Sequence, residues 1–360
     1  MSKDNTKKKL EKLGKDLVNQ IGNKINPHVE VPIRALSNIH FNKQKRMLEM
    51  KSAKSKRFFF NVAHVRKFVQ TTEAAAVAKE LLEADKHLSL RQTFYKIKRT
   101  IPGTNINIVD EQSESNEAIE DLELITGSPR EKLNINANKN GSVAGKVVVE
   151  DRGDTIDWSR LGSGGWAIPS NVENIKFKKV NAKFIIYMEK AAEWETLHED
   201  RIWEKLNCII MCSQGQATRG VRRLLKRLHD EFKLPVYVLV DGDPWGVYIY
   251  SVIKYGSISL AHMSDSLAIP SARLIGLTAD DVEKYGLKRH LIKFKDIDKK
   301  RIKQISNYEW FRDNKPWQRQ FTKWKKLNGK VELAALTANG LSFMSQTYLP
   351  EKIKKKEFLD

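Results

Sequence analysis

Cysteine is almost absent: Cys208 and Cys212 are the only two, four apart in the apolar run Cys208-Ile-Ile-Met-Cys212. In a strand, residues four apart point the same way. No second Cys or His cluster stands nearby to complete a zinc site, so the pair reads as buried thiols and a disulfide framework is excluded. The 8 histidines are scattered without ligand spacing, and none is given a role. No apolar stretch approaches the roughly 20 residues of a spanning helix. The Lys-rich N-terminus lacks the apolar core of a signal peptide, so an intracellular protein without membrane contact is expected. Nucleotide fingerprints are missing too. Gly141-Ser-Val-Ala-Gly145-Lys146 has one residue too few between its glycines for a phosphate loop and carries Val147 where Ser or Thr is needed. Gly162-Ser-Gly-Gly-Trp166 has no strand before it and no helix after it, and reads as a linker.

Acids are scarce beside bases. The 64 Lys and Arg exceed the 44 Asp and Glu to give +20. Half of that excess lies in residues 1–60, with 15 basic against 5 acidic side chains. Such a surface seeks a polyanion. Nucleic acid is favoured over an anionic membrane, because counterion release from phosphates drives binding by basic surfaces. The 41% apolar fraction and 360 residues suffice for two or three domains with proper cores.

Residues 1–64 read as a basic arm, either a solvated tail or a segment ordered by a partner. Two helical patterns follow. The first runs through Ala74–Glu83. The second opens at Ser89, three residues before Gln92, the spacing of a capping box. Leu90, Phe94 and Ile97 form its buried stripe, and Arg91, Tyr95, Lys98 and Arg99 place one phenol and three cations on a neighbouring face. Two short helices with a basic second one look like helix-turn-helix. An acidic helix at 111–125 follows, and the β-like runs Leu133–Ala137 and Gly145–Val149 are expected to be the wing of a winged helix.

From about residue 178 strands alternate with helices: strand 183–188, helix 191–206, strand 207–212, helix 219–232, strand 235–240, then a helical and β-like segment to Ser257. That alternation predicts a mostly parallel sheet covered on both faces. Trp310, Trp317 and Trp324 are expected to close a core. The run Phe184–Met188 ends on Glu189, and Pro235–Val240 ends on Asp241-Gly242-Asp243. Strand ends in a parallel sheet open into one crevice, so these acids could hold Mg²⁺, a cation that takes few hard oxygen ligands and completes its shell with water and phosphate. A plain Asp-Gly-Asp-Pro turn is the alternative.

Glu189-Lys190 and Asp241-Gly-Asp243-Pro-Trp-Gly246 resemble the TOPRIM module of topoisomerases, primases and some nucleases. The order of Leu90-Arg-Gln-Thr-Phe-Tyr95, Gly141–Gly145, Gly165-Trp-Ala-Ile-Pro169, Lys254-Tyr-Gly-Ser257 and Val331–Leu336 narrows this. Over residues 65–350 the chain resembles the A-subunit family of type IIB DNA topoisomerases and the related meiotic double-strand-break proteins. The family's frequent Tyr-Tyr pair is Phe94-Tyr95 here, leaving Tyr95 alone for the role. Trp194 matches the family's aromatic after the Glu-Lys strand.

The resemblance implies an α/β chain: a basic arm (1–64), a winged-helix (CAP-like) domain carrying the tyrosine (65–155), a linker (156–177), and a Rossmann-like TOPRIM domain with C-terminal extension (178–360). It implies Tyr95 as the nucleophile that makes a 5′ phosphotyrosyl double-strand break in duplex DNA, with Arg91 assisting and Lys98 and Arg99 binding DNA. Glu189, Asp241 and Asp243 would hold Mg²⁺, with Glu189 alternatively a general acid/base. It further implies a homodimer whose site is composite, and a separate GHKL-type ATPase B subunit that uses ATP, giving A2B2. Localisation would be nucleoid-associated in a prokaryote or nuclear in a eukaryote. Rival readings are a TOPRIM nuclease or primase without covalent tyrosine, a non-catalytic winged-helix DNA binder, and a meiotic-type break-maker.

Overall fold

The computed structural model describes residues 3–360. The chain forms two units, one built from the N-terminal segment to Asn38 with Met50–Asn138, the other from Ile39–Glu49 with Lys139–Asp360.

The first unit is mainly helical: α1 (Lys3–Gly22), α2 (Val65–Glu83), α3 (Leu90–Ile97) and α4 (Gln112–Thr126). Ser89 caps α3 in a full capping box, its hydroxyl accepting from the Gln92 N–H while the Gln92 side chain accepts from the Ser89 N–H. Phe94 and Ile97 then enter a core with Leu10, Val77, Ile119 and Leu122. The basic N-terminal segment is not a loose arm. Leu10 is buried in this core, and His28–Pro32 pairs antiparallel with Lys54–Phe58 so that Val29 and Val31 pack against Phe68. Arg34 pairs with Glu120 and Arg57 with the buried Asp121, so α4 supplies the counter-charge that a reading of each segment alone leaves out. Residues 39–49 belong to the second unit, where Phe41 meets the rings of Tyr255 and Trp310 and Arg46 pairs with Asp360.

The second unit holds a six-stranded sheet in the order Trp166–Ala167, Ser142–Ala144, Ile209–Cys212, Ile185–Met188, Val236–Leu239, Arg273–Leu274. The last four are parallel and the first two antiparallel. The central strands are buried on both faces, which is why they read as unbroken apolar runs. Helices α5 (Ala191–Glu199), α6 (Arg219–Phe232) and α7 (Pro244–Tyr255) follow successive strands. The helix expected over 191–206 breaks at Arg201, whose φ is 51°, before a short turn Ile202–Lys205. Lys254-Tyr255 ends a helix rather than a β segment.

The expected wing is corrected. Ile135–Asn136 pairs with Leu88–Ser89 in the first unit, but Ser142–Ala144 joins the six-stranded sheet and Val147–Asp151 pairs with Asp154–Asp157 and Lys176–Val180. Val147 and Val149 are buried in the second unit's core, and that burial decides where the strand goes. The stretch expected as a linker is likewise structured, because Trp158 is fully buried and stacks on Trp166. Trp317 and Trp324 are core residues, and Trp310 packs against that core. Burial pushes the Cys208 thiol up to about 12 and the Cys212 thiol up to about 11, as inert buried thiols require.

Gly141 precedes the antiparallel strand with φ +83°, and a Cβ there would lie 2.2 Å from the Cys212 carbonyl oxygen. Gly141→Ala should therefore cost about 3 kcal/mol. Gly153→Ala, at φ +94° with open space around it, should cost only about 1–2 kcal/mol. Urea unfolding of both variants checks the difference.

Candidate active site

Register brings the acids to one end of the sheet. Met188 stands opposite both Cys212 and Leu239 in the parallel ladders, so the chain leaves the central strands at Glu189, Ser213 and Val240 together. Asp241 follows and is 7% exposed. One of its oxygens accepts from the Leu333 N–H at 2.8 Å, and the other pairs with the Lys190 ammonium at 2.7 Å. Asp243 caps α7 by accepting from the Gly246 N–H at 2.6 Å, with Pro244 in the first turn. The Asp-Gly-Asp-Pro segment is thus a strand-to-helix junction.

Gly242 is clamped between them. Its N–H donates to the Val331 carbonyl at 2.9 Å and its carbonyl accepts from the Val331 N–H at 3.1 Å. A Cβ on it would meet the Trp324 ring at 2.8 Å and Val331 at 3.0 Å. Trp324, Val331 and Leu333 therefore fix the loop from the C-terminal region. No local pattern points to Trp324 for this, and the Val331–Leu336 stretch is visible in the sequence only as a family likeness.

The electrostatics are those of crowded carboxylates. Desolvation first, then the charges of Asp241 and Asp243, push Glu189 up to about 7, while Lys190 opposes the rise. Asp243 is raised by desolvation and by Asp241. Glu193, in the first turn of α5, is also raised by burial, and its Oε2 has no hydrogen-bond partner among the described residues. Glu332 lies 3.7 Å from Lys190. No sequence signal singles out Glu193, and Glu332 is marked only by lying in the Val331–Leu336 family likeness.

A divalent cation fits this donor set chemically, since mutually repelling hard carboxylate oxygens are what such an ion would neutralise. As the side chains stand, among the described residues no three His, Cys, Asp or Glu groups converge closely enough to hold one. Lys190 engages Asp241 and the α7 backbone engages Asp243.

Tyr95 belongs to the first unit and is 59% exposed on α3. The Arg91 guanidinium donates to its hydroxyl at 3.1 Å, lies 5.2 Å from its ring centroid, and is braced by Gln112 at 2.8 Å. Lys98 and Arg99 are exposed on the same helix end, but both are engaged. Lys98 lies over the Phe94 ring and reaches the Asp110 carbonyl at 3.5 Å, and Arg99 pairs with Glu73.

Three family models match the chain. One describes type IIB DNA topoisomerases and covers residues 66–135. A second describes an all-beta domain of the DNA topoisomerase VI alpha chain and covers 138–181. The third describes the Toprim domain shared by topoisomerase 6 A subunits and Spo11 and covers 184–353. Proteins named as the A subunits of type 2 DNA topoisomerase 6 are similar throughout. That of Pyrococcus abyssi is 43% identical, covering 98% of this chain and 94% of the relative. That of Hyperthermus butylicus is 37% identical over 96% and 94%, and that of Methanocaldococcus jannaschii 36% over 97% and 94%. No helix among the described residues is long and apolar enough to cross a membrane. The three matches follow one another from residue 66 to 353, the relatives cover the chain almost throughout, and it belongs to the family of topoisomerase VI A subunits, the DNA-cleaving subunits of type IIB DNA topoisomerases.

Proposed function

We propose that this chain cuts both strands of duplex DNA through Tyr95 and reseals them after strand passage. The phenolic oxygen attacks phosphorus, an O–P bond forms to the 5′ side, and the P–O3′ bond breaks with the proton passing to the departing 3′ oxygen. Religation is the reverse. The observation that carries the assignment is the exposed Tyr95 hydroxyl held by the Arg91 guanidinium at 3.1 Å. The adjacent cation would stabilise the charge that develops on the phosphoryl oxygens. Helices α2 and α3, with the His28–Pro32 and Lys54–Phe58 ribbon, support a winged-helix (CAP-like) reading of this unit.

Glu189, Asp241 and Asp243 are the proposed Mg²⁺ ligands, and the ion would supply Lewis-acid stabilisation of charge at phosphate. Glu189 has a second reading. A carboxyl near 7 exchanges protons readily at neutral pH, which suits a general acid/base in religation. Tyrosine and acids belong to separate units, and a homodimer in which each protomer's tyrosine serves the partner's acids is the arrangement the family likeness supports. Energy for strand passage would come from a GHKL-type ATPase B subunit using ATP, in an A2B2 complex. Exposed Val18, Ile21, Phe60 and Val62 support docking through the N-terminal segment.

Tyr95→Phe should abolish plasmid cleavage by the assembled complex without changing the melting temperature, since the side chain is mostly solvent-facing; Arg91→Ala should slow cleavage by about 10²-fold. Retained cleavage by the Phe variant would favour a TOPRIM nuclease. Phe60→Asp with Val62→Asp should abolish co-purification of the B subunit while leaving the fold intact by circular dichroism.

The pH dependence has a definite sign. Glu189 rises from 4.5 to about 7 on folding, so its contribution to metal-free stability is full below pH 4.5 and lost as pH climbs through 7. Glu189→Gln should raise the metal-free melting temperature at pH 8 by about 2 °C, a small gain because the side chain is only half-buried, and leave it unchanged at pH 4. Thermal melts across pH check this.

A further inference from the structure

The acids and Lys190 disagree with a simple empty cation site, because a cation is already present. The Lys190 ammonium lies 2.7 Å from Asp241 and 3.7 Å from Glu332, in a narrow cleft that Glu189, Glu193 and Leu333 also line. Glu193 is 5% exposed, yet its Oε2 faces no donor among the described residues. A buried carboxylate oxygen without a partner is costly and calls for a cation or donor that arrives in another state. Lys190 is the N-cap residue of α5 and Glu193 lies in its first turn, so the lysine's flexible stem has both Asp241 and Glu193 within its range.

We propose that Lys190 is a tethered stand-in for the divalent cation: it neutralises Asp241 and Glu332 in the metal-free chain and swings to the open oxygen of Glu193 when the ion enters. This rests on the reading of Asp241 as a metal ligand. The swing keeps the acid cluster neutralised before loading, when bare carboxylates would repel one another. It sets a competition at Asp241, so that only an ion carrying more charge than an ammonium displaces the lysine. It also gives the orphaned Glu193 oxygen its partner in the loaded state.

Calorimetric titration of the full chain with Mg²⁺ tests this, using wild type, Lys190→Gln, Glu193→Gln and the double variant, each checked for folding by circular dichroism. Removing the competitor should tighten Mg²⁺ binding roughly tenfold, the factor that corresponds to about 1.4 kcal/mol. Glu193→Gln should weaken binding about threefold in the wild-type background and have no effect when Lys190 is already Gln, because the lysine's second resting place no longer matters. Binding by wild type, with equal or weaker affinity in Lys190→Gln, would overturn the inference and leave the metal reading standing. An equal Glu193→Gln penalty in both backgrounds would overturn the swing, since it would show a plain loss of negative charge. No binding by wild type or Lys190→Gln would remove the metal reading and the inference with it.

Discussion

Negative charges brought to one end of a sheet's strands repel, and this chain's second unit is organised around holding them there. Equal register of three parallel strands delivers Glu189 and the Asp241 loop to the same end. The loop cannot relax away, because Gly242 is bridged to Val331 and pressed against Trp324, and Asp241 is anchored by the Leu333 N–H. Desolvation there, joined by the charges of Asp241 and Asp243, raises Glu189. Structures tolerate such crowding when a counter-charge is available, which Lys190 supplies at Asp241 and the proposed Mg²⁺ would supply to the cluster.

The first unit solves a different problem. In its proposed role Tyr95 must be solvent-facing to meet DNA, yet must not wander. Burial of Phe94 and Ile97 fixes the helix, the Ser89–Gln92 capping box fixes its start, and Arg91, itself braced by Gln112, holds the hydroxyl. Reactive groups placed on a rigid element keep their geometry at little entropic cost. The basic excess near the N-terminus serves this unit as well, since Arg34 and Arg57 are neutralised by α4 rather than left free for a polyanion.

Much of this was legible because local and long-range signals coincide where apolar runs end on acids and where a capping box precedes an amphipathic helix. Strands Ile185–Met188, Ile209–Cys212 and Val236–Leu239 and helix α6 stand where periodicity put them. The rest depends on distant partners. Val147–Asp151 reads equally well as a wing, and only its burial against the second unit's core decides otherwise. The hairpin around Phe41 and Arg46 carries no local mark of its attachment to Tyr255 and Asp360. Trp324 reads as a core residue in any context, and its grip on Gly242 comes from tertiary packing alone.

The central claim is that one phenolic oxygen becomes the covalent link to DNA. Digesting the complex trapped on DNA and sequencing the DNA-linked peptide by mass spectrometry tests it directly. The account predicts a single modified peptide spanning Leu90–Lys98, with a 5′ nucleotide on Tyr95. An adduct on any other residue, or cut DNA bearing free 5′ phosphates and no peptide, would contradict it.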